Sequence, residues 1–224
     1  MVSANEITDL AAIYPVSRET ISRLEVYEAL LRQWQSKTNL VAPGTLEAFW
    51  SRHVADSLQC LKIVPGARNW IDLGSGGGFP ALPIAIARSC DSPETFGRHV
   101  LIESNHKKCA FLREVARKTG TPCIVMNERI ESATKQLQGE RFDVVTARAL
   151  APLPKLLDLA APLLRSGVVA LFHKGRDFRA ELEDCRGLWS FDLVIHKSRI
   201  ESGSVLLEIR NPVSERARDA GAVS

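Results

Sequence analysis

Residues 70–80, Trp-Ile-Asp-Leu-Gly-Ser-Gly-Gly-Gly-Phe-Pro, decide the fold of this chain. The short apolar run at 70–73 predicts a buried strand. It ends in four glycines within five residues, and the apolar stretch 81–87 that follows predicts a helix. Strand, glycine turn and helix in this order open a parallel α/β sheet that binds a nucleotide. Glycine suits such a turn because the backbone takes positive φ values and a ligand approaches it closely.

The spacing of the glycines narrows the class of ligand. Asp72, Gly74, Gly76 and Gly78 follow the pattern Asp-x-Gly-x-Gly-x-Gly. A dinucleotide fingerprint requires glycine where Phe79 stands, and the phosphate loop of ATPases requires a Gly-Lys-Ser/Thr that this stretch lacks. The loop resembles that of class I methyltransferases, whose cofactor S-adenosylmethionine carries no phosphate. Two alternatives stay open: a glycine-rich turn without a ligand, and a nicotinamide or flavin site.

Two acidic residues at predicted strand ends suit this cofactor. The sulfonium and ammonium groups of S-adenosylmethionine are cationic, so a carboxylate such as Asp72 would stabilise them. Glu103 ends the next predicted strand, 99–103, where a carboxylate can accept hydrogen bonds from both hydroxyls of a ribose. The alternative for Glu103 is a solvated acid at a strand end.

Composition restricts the class of protein. A chain of 224 residues with 45% hydrophobic content suits one large domain or a domain with an appendage. Its net charge of +3 permits RNA binding without indicating it. No apolar run approaches the roughly 20 residues of a membrane span, and residues 1–10 lack a signal-peptide pattern. The five cysteines include no Cys-x-x-Cys pair. We therefore expect a cytoplasmic protein with no membrane association and no metal site.

The order of predicted elements defines the architecture. Residues 1–65 predict an N-terminal helical extension, with its last helix over 45–63. From residue 66 to 210 strands alternate with helices, and a hairpin of two strands closes the pattern. These units predict an α/β fold with a doubly wound, seven-stranded, mostly parallel sheet whose last strand is antiparallel. The polar residues 211–224 predict a flexible C-terminal tail.

Several further motifs accompany the glycine loop. They are Asn39-Leu40-Val41, Arg52-His53-x-x-Asp56-Ser57, Glu103-Ser104 with Lys107 and Phe111-Leu112, Arg129-x-Glu131, Thr146-Ala147-Arg148-Ala149 and Lys174-Gly175. In this order, over about residues 36–210, the set resembles the RsmG (GidB) family of bacterial methyltransferases, which modify N7 of a guanine in 16S rRNA. The resemblance implies a class I methyltransferase domain over 66–210, S-adenosylmethionine as cofactor, the small ribosomal subunit as partner, and a monomer.

The resemblance also implies roles for individual residues. Gly74 and Phe79 would contact the cofactor, Ile130 and Glu131 would lie at its adenosine end, and Arg148 would lie where the methyl group is transferred. Together with the residues placed by the general logic of the fold, the expected cofactor-binding set is Asp72, Gly74, Gly76, Gly78, Phe79, Glu103, Ile130, Glu131 and Arg148.

The residues after the fourth predicted strand fit transfer to a ring nitrogen. Methyltransferases that act on exocyclic amines resemble one another in an Asn/Asp-Pro-Pro-aromatic motif here, which accepts the amine protons. This chain has Thr146-Ala147-Arg148-Ala149 instead. Guanine N7 carries a lone pair and no hydrogen, so its methylation needs alignment and no general base. A guanidinium cannot act as a base, but it can donate to guanine O6 or neutralise a phosphate. Methylated guanine is cationic, so the charge of Arg148 must be offset, with Asp72 or Asp143 as candidates.

Basic residues near the expected cleft are candidates for RNA contact. Lys174 stands at a strand end, and Arg52 and His53 lie on N-terminal helices that could fold over the mouth of the cleft. An ordinary solvated face is the alternative for each. Two rival functions also stay open: a methyltransferase for another RNA or a small molecule, and a non-catalytic ribosome-binding factor on a methyltransferase scaffold.

Overall fold

A computed structural model describes residues 2–164 and 167–215. Its α-helices are α1 (Ala4–Ile13), α2 (Arg18–Gln35), α3 (Ala55–Ile63), α4 (Ala81–Asp91), α5 (His106–Thr119), α6 (Ile130–Gln136), α7 (Leu153–Ala160) and α8 (Phe178–Glu183). Its strands are β1 (Trp70–Leu73), β2 (His99–Glu103), β3 (Ile124–Asn127), β4 (Val144–Arg148), β5 (Val169–Lys174), β6 (Trp189–Lys197) and β7 (Val205–Ser214). Short 3-10 segments occupy Pro43–Ala48 and Pro93–Thr95, and a π-helical turn spans Phe49–Val54.

The seven strands form one sheet in the order β3-β2-β1-β4-β5-β7-β6. Strands β1 to β5 are parallel, and β7 runs antiparallel to both of its neighbours. This topology confirms the predicted doubly wound sheet. The chain order reverses at β1, which lies between β2 and β4. Ligands bind outside the carboxyl ends of the strands at such a switch point.

The N-terminal helices form a layer over helix α4. All residues from Ala81 to Arg88 are buried, although an amphipathic helix on a sheet normally exposes one face. The outer face of α4 is covered by α2 and α3, which both contact it. Residues of the predicted extension therefore share a hydrophobic cluster with the sheet. Tyr27 of α2 packs its ring 5.2 Å from that of Phe79 in the glycine loop.

The helix predicted over 45–63 is divided into three parts. A 3-10 segment leads into the π-helical turn Phe49–Val54, and α3 begins only at Ala55. Apolar spacing does not distinguish these helical forms, because a single wide turn shifts the pattern by one residue. π-Helical turns are frequent at functional sites, and this one carries Arg52 and His53.

Strands β4 and β7 end later in the chain than predicted. Arg148 is the last residue of β4 and pairs with His173 of β5. Lys174 is the last residue of β5. At the C-terminus β7 runs to Ser214, because residues 211–214 continue alongside β6, with Trp189 opposite Ser214. That part of the predicted tail belongs to the sheet, and residues 216–224 lie outside the described residues.

Candidate active site

A cleft of about 990 Å³ lies at the carboxyl ends of β1, β2, β4 and β5. The predicted site residues that line it are Arg52, His53, Gly74, Gly76, Phe79, Glu103, Ile130, Glu131, Arg148 and Lys174. Asp72 and Gly78 do not line it. The structure thus brings together residues from the glycine loop, three other strand ends and the N-terminal region.

The glycine loop is pressed against the N-terminal helices. Gly78 has φ 94°, and a Cβ there would lie 2.5 Å from Leu82 Cδ1 and 2.8 Å from the Tyr27 hydroxyl. Gly78 is therefore required for packing, which explains why it lies behind the cleft. Gly76 has φ 54°, and the nearest atom to its added Cβ would be 3.8 Å away. The backbone at Gly76 is accordingly open to a ligand in the cleft.

The hydroxyl of Tyr27 fixes the loop from below. It donates a hydrogen bond to the carbonyl of Gly77, and both residues are buried. Burial raises the pKa of Tyr27 well above its usual value, so the hydroxyl keeps its proton and remains a donor. The conformation of the loop therefore depends on a helix that lies outside the sheet.

The carboxylate of Glu103 supports the loop and keeps acceptor capacity for a ligand. Its Oε2 accepts from the Gly76 N–H at 2.9 Å and its Oε1 from the Asn105 N–H at 2.8 Å. Each carboxylate oxygen can accept more than one hydrogen bond. Glu103 can thus hold the loop and still accept from hydroxyl groups in the cleft.

Asp72 lies beneath the loop, between β1 and β4. Its Oδ1 accepts from the Thr146 hydroxyl at 2.6 Å, since Asp72 and Thr146 are opposite each other in the two strands. Its Oδ2 is buried and makes no hydrogen bond. Burial raises the pKa of Asp72 to about 7. Burial thus favours the protonated form of this carboxyl group, which lies one layer behind the cleft wall.

The guanidinium of Arg148 is held on three sides. One terminal nitrogen donates to His53 Nδ1 at 3.0 Å, and the other lies 3.6 Å from Asp56 Oδ2. The central carbon lies 5.0 Å from the centre of the Phe79 ring, a cation–π contact. Burial lowers the pKa of Arg148, and Asp56 opposes that shift. The arginine is thus a fixed cation in the wall of the cleft.

His53 is a neutral support of this arginine. A guanidinium only donates, so Nδ1 of His53 must accept, and its Nε2–H donates to the Thr45 hydroxyl at 3.0 Å. Burial, with Arg148 as the next cause, lowers the pKa of His53 to about 4. The ring stacks on Phe79 at 4.7 Å and is 5% exposed. Its predicted contact with RNA is accordingly limited to a small exposed edge.

Asp56 supplies the countercharge to Arg148, for which Asp72 and Asp143 were the predicted candidates. Asp143, one of the two candidates, instead accepts the backbone N–H groups of Arg68 and Asn69 at 2.7 and 2.8 Å, at the opposite end of β4. Asp72, the other, lies behind the wall. The spacing of His53 and Asp56, three residues apart at a helix, places the two side chains near each other, but it does not indicate Arg148 as their partner.

The chain turns sharply after Arg148. Ala149 has φ 53°, a left-handed conformation that is uncommon for a residue with a Cβ. The turn directs residues 149–151 along the cleft, which they line. Backbone in sparsely populated conformations is concentrated at functional sites.

Of the three residues predicted to contact RNA, Arg52 and Lys174 differ from each other in availability. Arg52 is half exposed at the rim and pairs with Glu201 at 2.7 Å. Lys174 is 8% exposed, and its ammonium donates to the Ala151 carbonyl at 2.7 Å and to Glu181 Oε2 at 2.6 Å. An ammonium has three donors, so Lys174 keeps one for a ligand.

The other predicted residues occupy one side of the cleft. Ile130 and Glu131 begin α6 and line the cleft beside Glu103. Within residues 2–164 and 167–215 no group of three or more metal-ligating side chains comes together. No helix in these ranges is long and apolar enough to cross a membrane.

Comparisons with known proteins agree with this architecture. Residues 20–205 match the GidB family, described as rRNA small subunit methyltransferase G. A protein named ribosomal RNA small subunit methyltransferase G from Rhodopseudomonas palustris is 50% identical over 197 residues, which cover 87% of this chain and 82% of that protein. A protein of the same name from Methylorubrum populi is 50% identical over 195 residues, covering 87% and 90%.

Solved structures share the fold at low sequence identity. An O-methyltransferase from Bacillus cereus in complex with SAH is 18% identical with a TM-score of 0.55, covering 88% of this chain and 93% of that one. Cofactor-bound Rv0187 from MTB is 17% identical with a TM-score of 0.56 and the same coverage. The fold is that of class I methyltransferases. With the family match over most of its length, this chain belongs to the rRNA small subunit methyltransferase G (GidB) family.

Proposed function

We propose that this chain transfers a methyl group from S-adenosylmethionine to N7 of a guanine in the 16S rRNA of the small ribosomal subunit. The observation that supports this most is the environment of Arg148. A fixed donor stands at the end of β4, and its neighbour His53 has Nδ1 occupied by it. At the end of β4 the cleft thus presents a hydrogen-bond donor, where transfer to an exocyclic amine would require a proton acceptor.

The cleft fits the cofactor. S-adenosylmethionine, when bound, supplies a methyl group on a positively charged sulfur. The open backbone at Gly76 would accept it closely, and the remaining acceptor capacity of Glu103 would bind ribose hydroxyls. Oδ2 of Asp72 is unpartnered behind the loop, and a cationic ligand nearby would favour the charged form of this carboxyl group. Ile130 and Glu131 would hold the adenine end.

The chemistry of Arg148 selects guanine and the N7 position. In guanine, O6 and N7 are adjacent acceptors, and arginine is their commonest protein partner. Adenine presents an amino donor in place of O6, which a guanidinium would repel. A guanidinium that donates to O6 would leave the N7 lone pair free to align with the methyl group. Such a reaction needs positioning in a dehydrated pocket and no proton transfer.

The exposure of each basic side chain indicates how it would contact RNA. Arg52 would exchange Glu201 for a phosphate, since an exposed ion pair contributes little free energy. Lys174 would offer its one remaining N–H, and His53 would act chiefly through Arg148. We also propose that the protein acts as a monomer, in the cytoplasm where ribosomes are assembled.

The direct test uses small ribosomal subunits from cells that lack this protein. Purified chain and labelled S-adenosylmethionine should introduce one methyl group per subunit, and chemical cleavage specific for 7-methylguanosine should locate it. Absence of transfer to both intact subunits and free 16S rRNA, or transfer to an exocyclic amine, would contradict the proposal. A thermal shift with S-adenosylhomocysteine distinguishes the scaffold alternative, because a ligand that binds the folded state raises the melting temperature.

A further inference from the structure

The carboxylate of Asp56 has no part in cofactor or RNA binding as described above. Its side chain is 16% exposed and lines the cleft. Oδ1 accepts from Gln59 Nε2 at 2.9 Å and from the Ser198 hydroxyl at 3.3 Å. Oδ2 lies 3.6 Å from both Arg148 and His173. One oxygen thus contacts neutral donors from the protein framework, and the other faces the arginine.

We propose that Asp56 is a positioning residue that orients Arg148 and balances its charge while the substrate guanine becomes cationic. This inference rests on the proposed function. His53 and Asp56 each contact one terminal nitrogen of Arg148, and Phe79 covers one face of its guanidinium. The remaining edge and the opposite face are then the parts that can meet a substrate.

The charge balance follows from the groups around the arginine. His53 is neutral because burial lowers its pKa, and burial lowers the pKa of His173 as well. Among the described residues, Asp56 is the one carboxylate within 4 Å of the Arg148 guanidinium. Transfer breaks the sulfur–methyl bond and forms the N7–methyl bond, so the positive charge passes to the guanine and no proton moves. Without Asp56 that charge would develop beside a cation whose remaining acidic neighbour is the buried Asp72.

A second consequence concerns the hairpin of β6 and β7. Ser198 follows β6, and its hydroxyl binds Asp56 and also accepts the N–H groups of Ile200 and Glu201. Asp56 therefore also joins this hairpin to α3. Its proposed effect on Arg148 must be separated from this structural link.

The test compares Asp56→Asn with two controls. Asp143→Asn makes the same chemical change at a carboxylate that lies five residues of extended strand, roughly 17 Å, from Arg148. Ser198→Ala weakens the hairpin link and leaves the Asp56 charge in place. We expect Asp56→Asn to lower kcat on small subunits by about 100-fold, the effect of losing one electrostatic stabiliser. Its affinity for S-adenosylhomocysteine should change less than about twofold, and both controls should keep kcat near that of the wild type.

A chemical rescue separates charge from shape. In Asp56→Ala, added formate should restore much of the lost kcat, whereas formamide, of the same size and neutral, should not. The inference is overturned if Asp56→Asn turns over as the wild type does, if Ser198→Ala loses as much, or if formate and formamide act alike. All of these comparisons require that the wild-type chain transfers the methyl group to small subunits. A wild type that binds S-adenosylhomocysteine and transfers nothing would instead overturn the proposed function itself.

Discussion

Replacing Tyr27 by phenylalanine should loosen the glycine loop without touching the cleft. The hydroxyl of Tyr27 donates to the carbonyl of Gly77, and the side chain is fully buried. Tyr27→Phe keeps the ring and its stacking on Phe79, and removes only the donor. The carbonyl of Gly77 is then left buried without this partner.

The size of the effect follows from that lost donor. A buried acceptor left unsatisfied costs about 1–3 kcal/mol. We expect the free energy of unfolding to fall by this amount. If the unbound loop relieves part of this cost by becoming disordered, the cofactor must order it again, and binding weakens by about tenfold for each 1.4 kcal/mol. The variant should therefore be both less stable and a weaker binder of S-adenosylhomocysteine.

The chain provides its own control for this measurement. Tyr14, the only other tyrosine, is half-buried, and among the described residues its hydroxyl makes no hydrogen bond. Urea unfolding of Tyr14→Phe should match the wild type, and calorimetric titration should give the same affinity for S-adenosylhomocysteine. If Tyr27→Phe equals Tyr14→Phe in both measurements, the loop does not depend on α2 in the way that the structure indicates.

Three further substitutions test other parts of the site and the fold. Arg148→Ala should lower kcat by at least about 100-fold, as loss of a preorganised donor does, while S-adenosylhomocysteine affinity changes little; wild-type turnover would exclude Arg148 from the reaction. Arg52→Ala removes a half-exposed ion pair worth at most about 1 kcal/mol, so unfolding should barely change, whereas KM for the small subunit should rise and its salt dependence weaken. Burial lowers the pKa of His99 to about 4, so between pH 6.5 and 4 the unfolded state binds a proton that the folded state does not, and stability falls as the pH falls. His99→Phe, which keeps the stacking on Phe96 at 4.5 Å, should reduce that slope by about 1.4 kcal/mol per pH unit; an unchanged slope in urea titrations would show that His99 titrates normally.

The parts of the fold that depend on residues adjacent in the chain could be predicted from the sequence. The strand, the glycine turn and the helix α4 follow each other directly, so their pattern is local. The alternation of strands with helices and the closing hairpin signal predicted a mostly parallel, doubly wound sheet with an antiparallel last strand, which the structure has. The ends of β4 and β7 could not be predicted in this way, because each strand extends as far as its neighbouring strand continues to offer hydrogen bonds.

The countercharge of Arg148 could not be predicted from spacing alone. Asp56 and Arg148 are 92 positions apart, and they meet only because α3 packs beside the carboxyl ends of β4 and β5. No periodic pattern encodes such a contact. Asp72 and Asp143, the acids nearest to the strands, were therefore the expected countercharges, and Asp56 was an unexplained member of a motif.

The burial of Lys174 has a similar origin. A lysine at the end of a strand beside a glycine resembles an exposed ligand contact, and the sequence gives no indication of its partner. Glu181 of α8 accepts from both Lys174 and the N–H of Leu153. The ion pair exists because α8 folds back over the end of β5, which is a tertiary event.

The covering of α4 by α2 and α3 makes the first 65 residues inseparable from the rest. Tyr27, His53 and Asp56 all come from that segment, and each one contacts the glycine loop or the arginine. A truncated chain that starts at residue 66 would keep every strand and still lack a working centre. Swapping this segment between relatives would therefore alter turnover itself, and could not serve as a modular way to redirect the enzyme to another RNA.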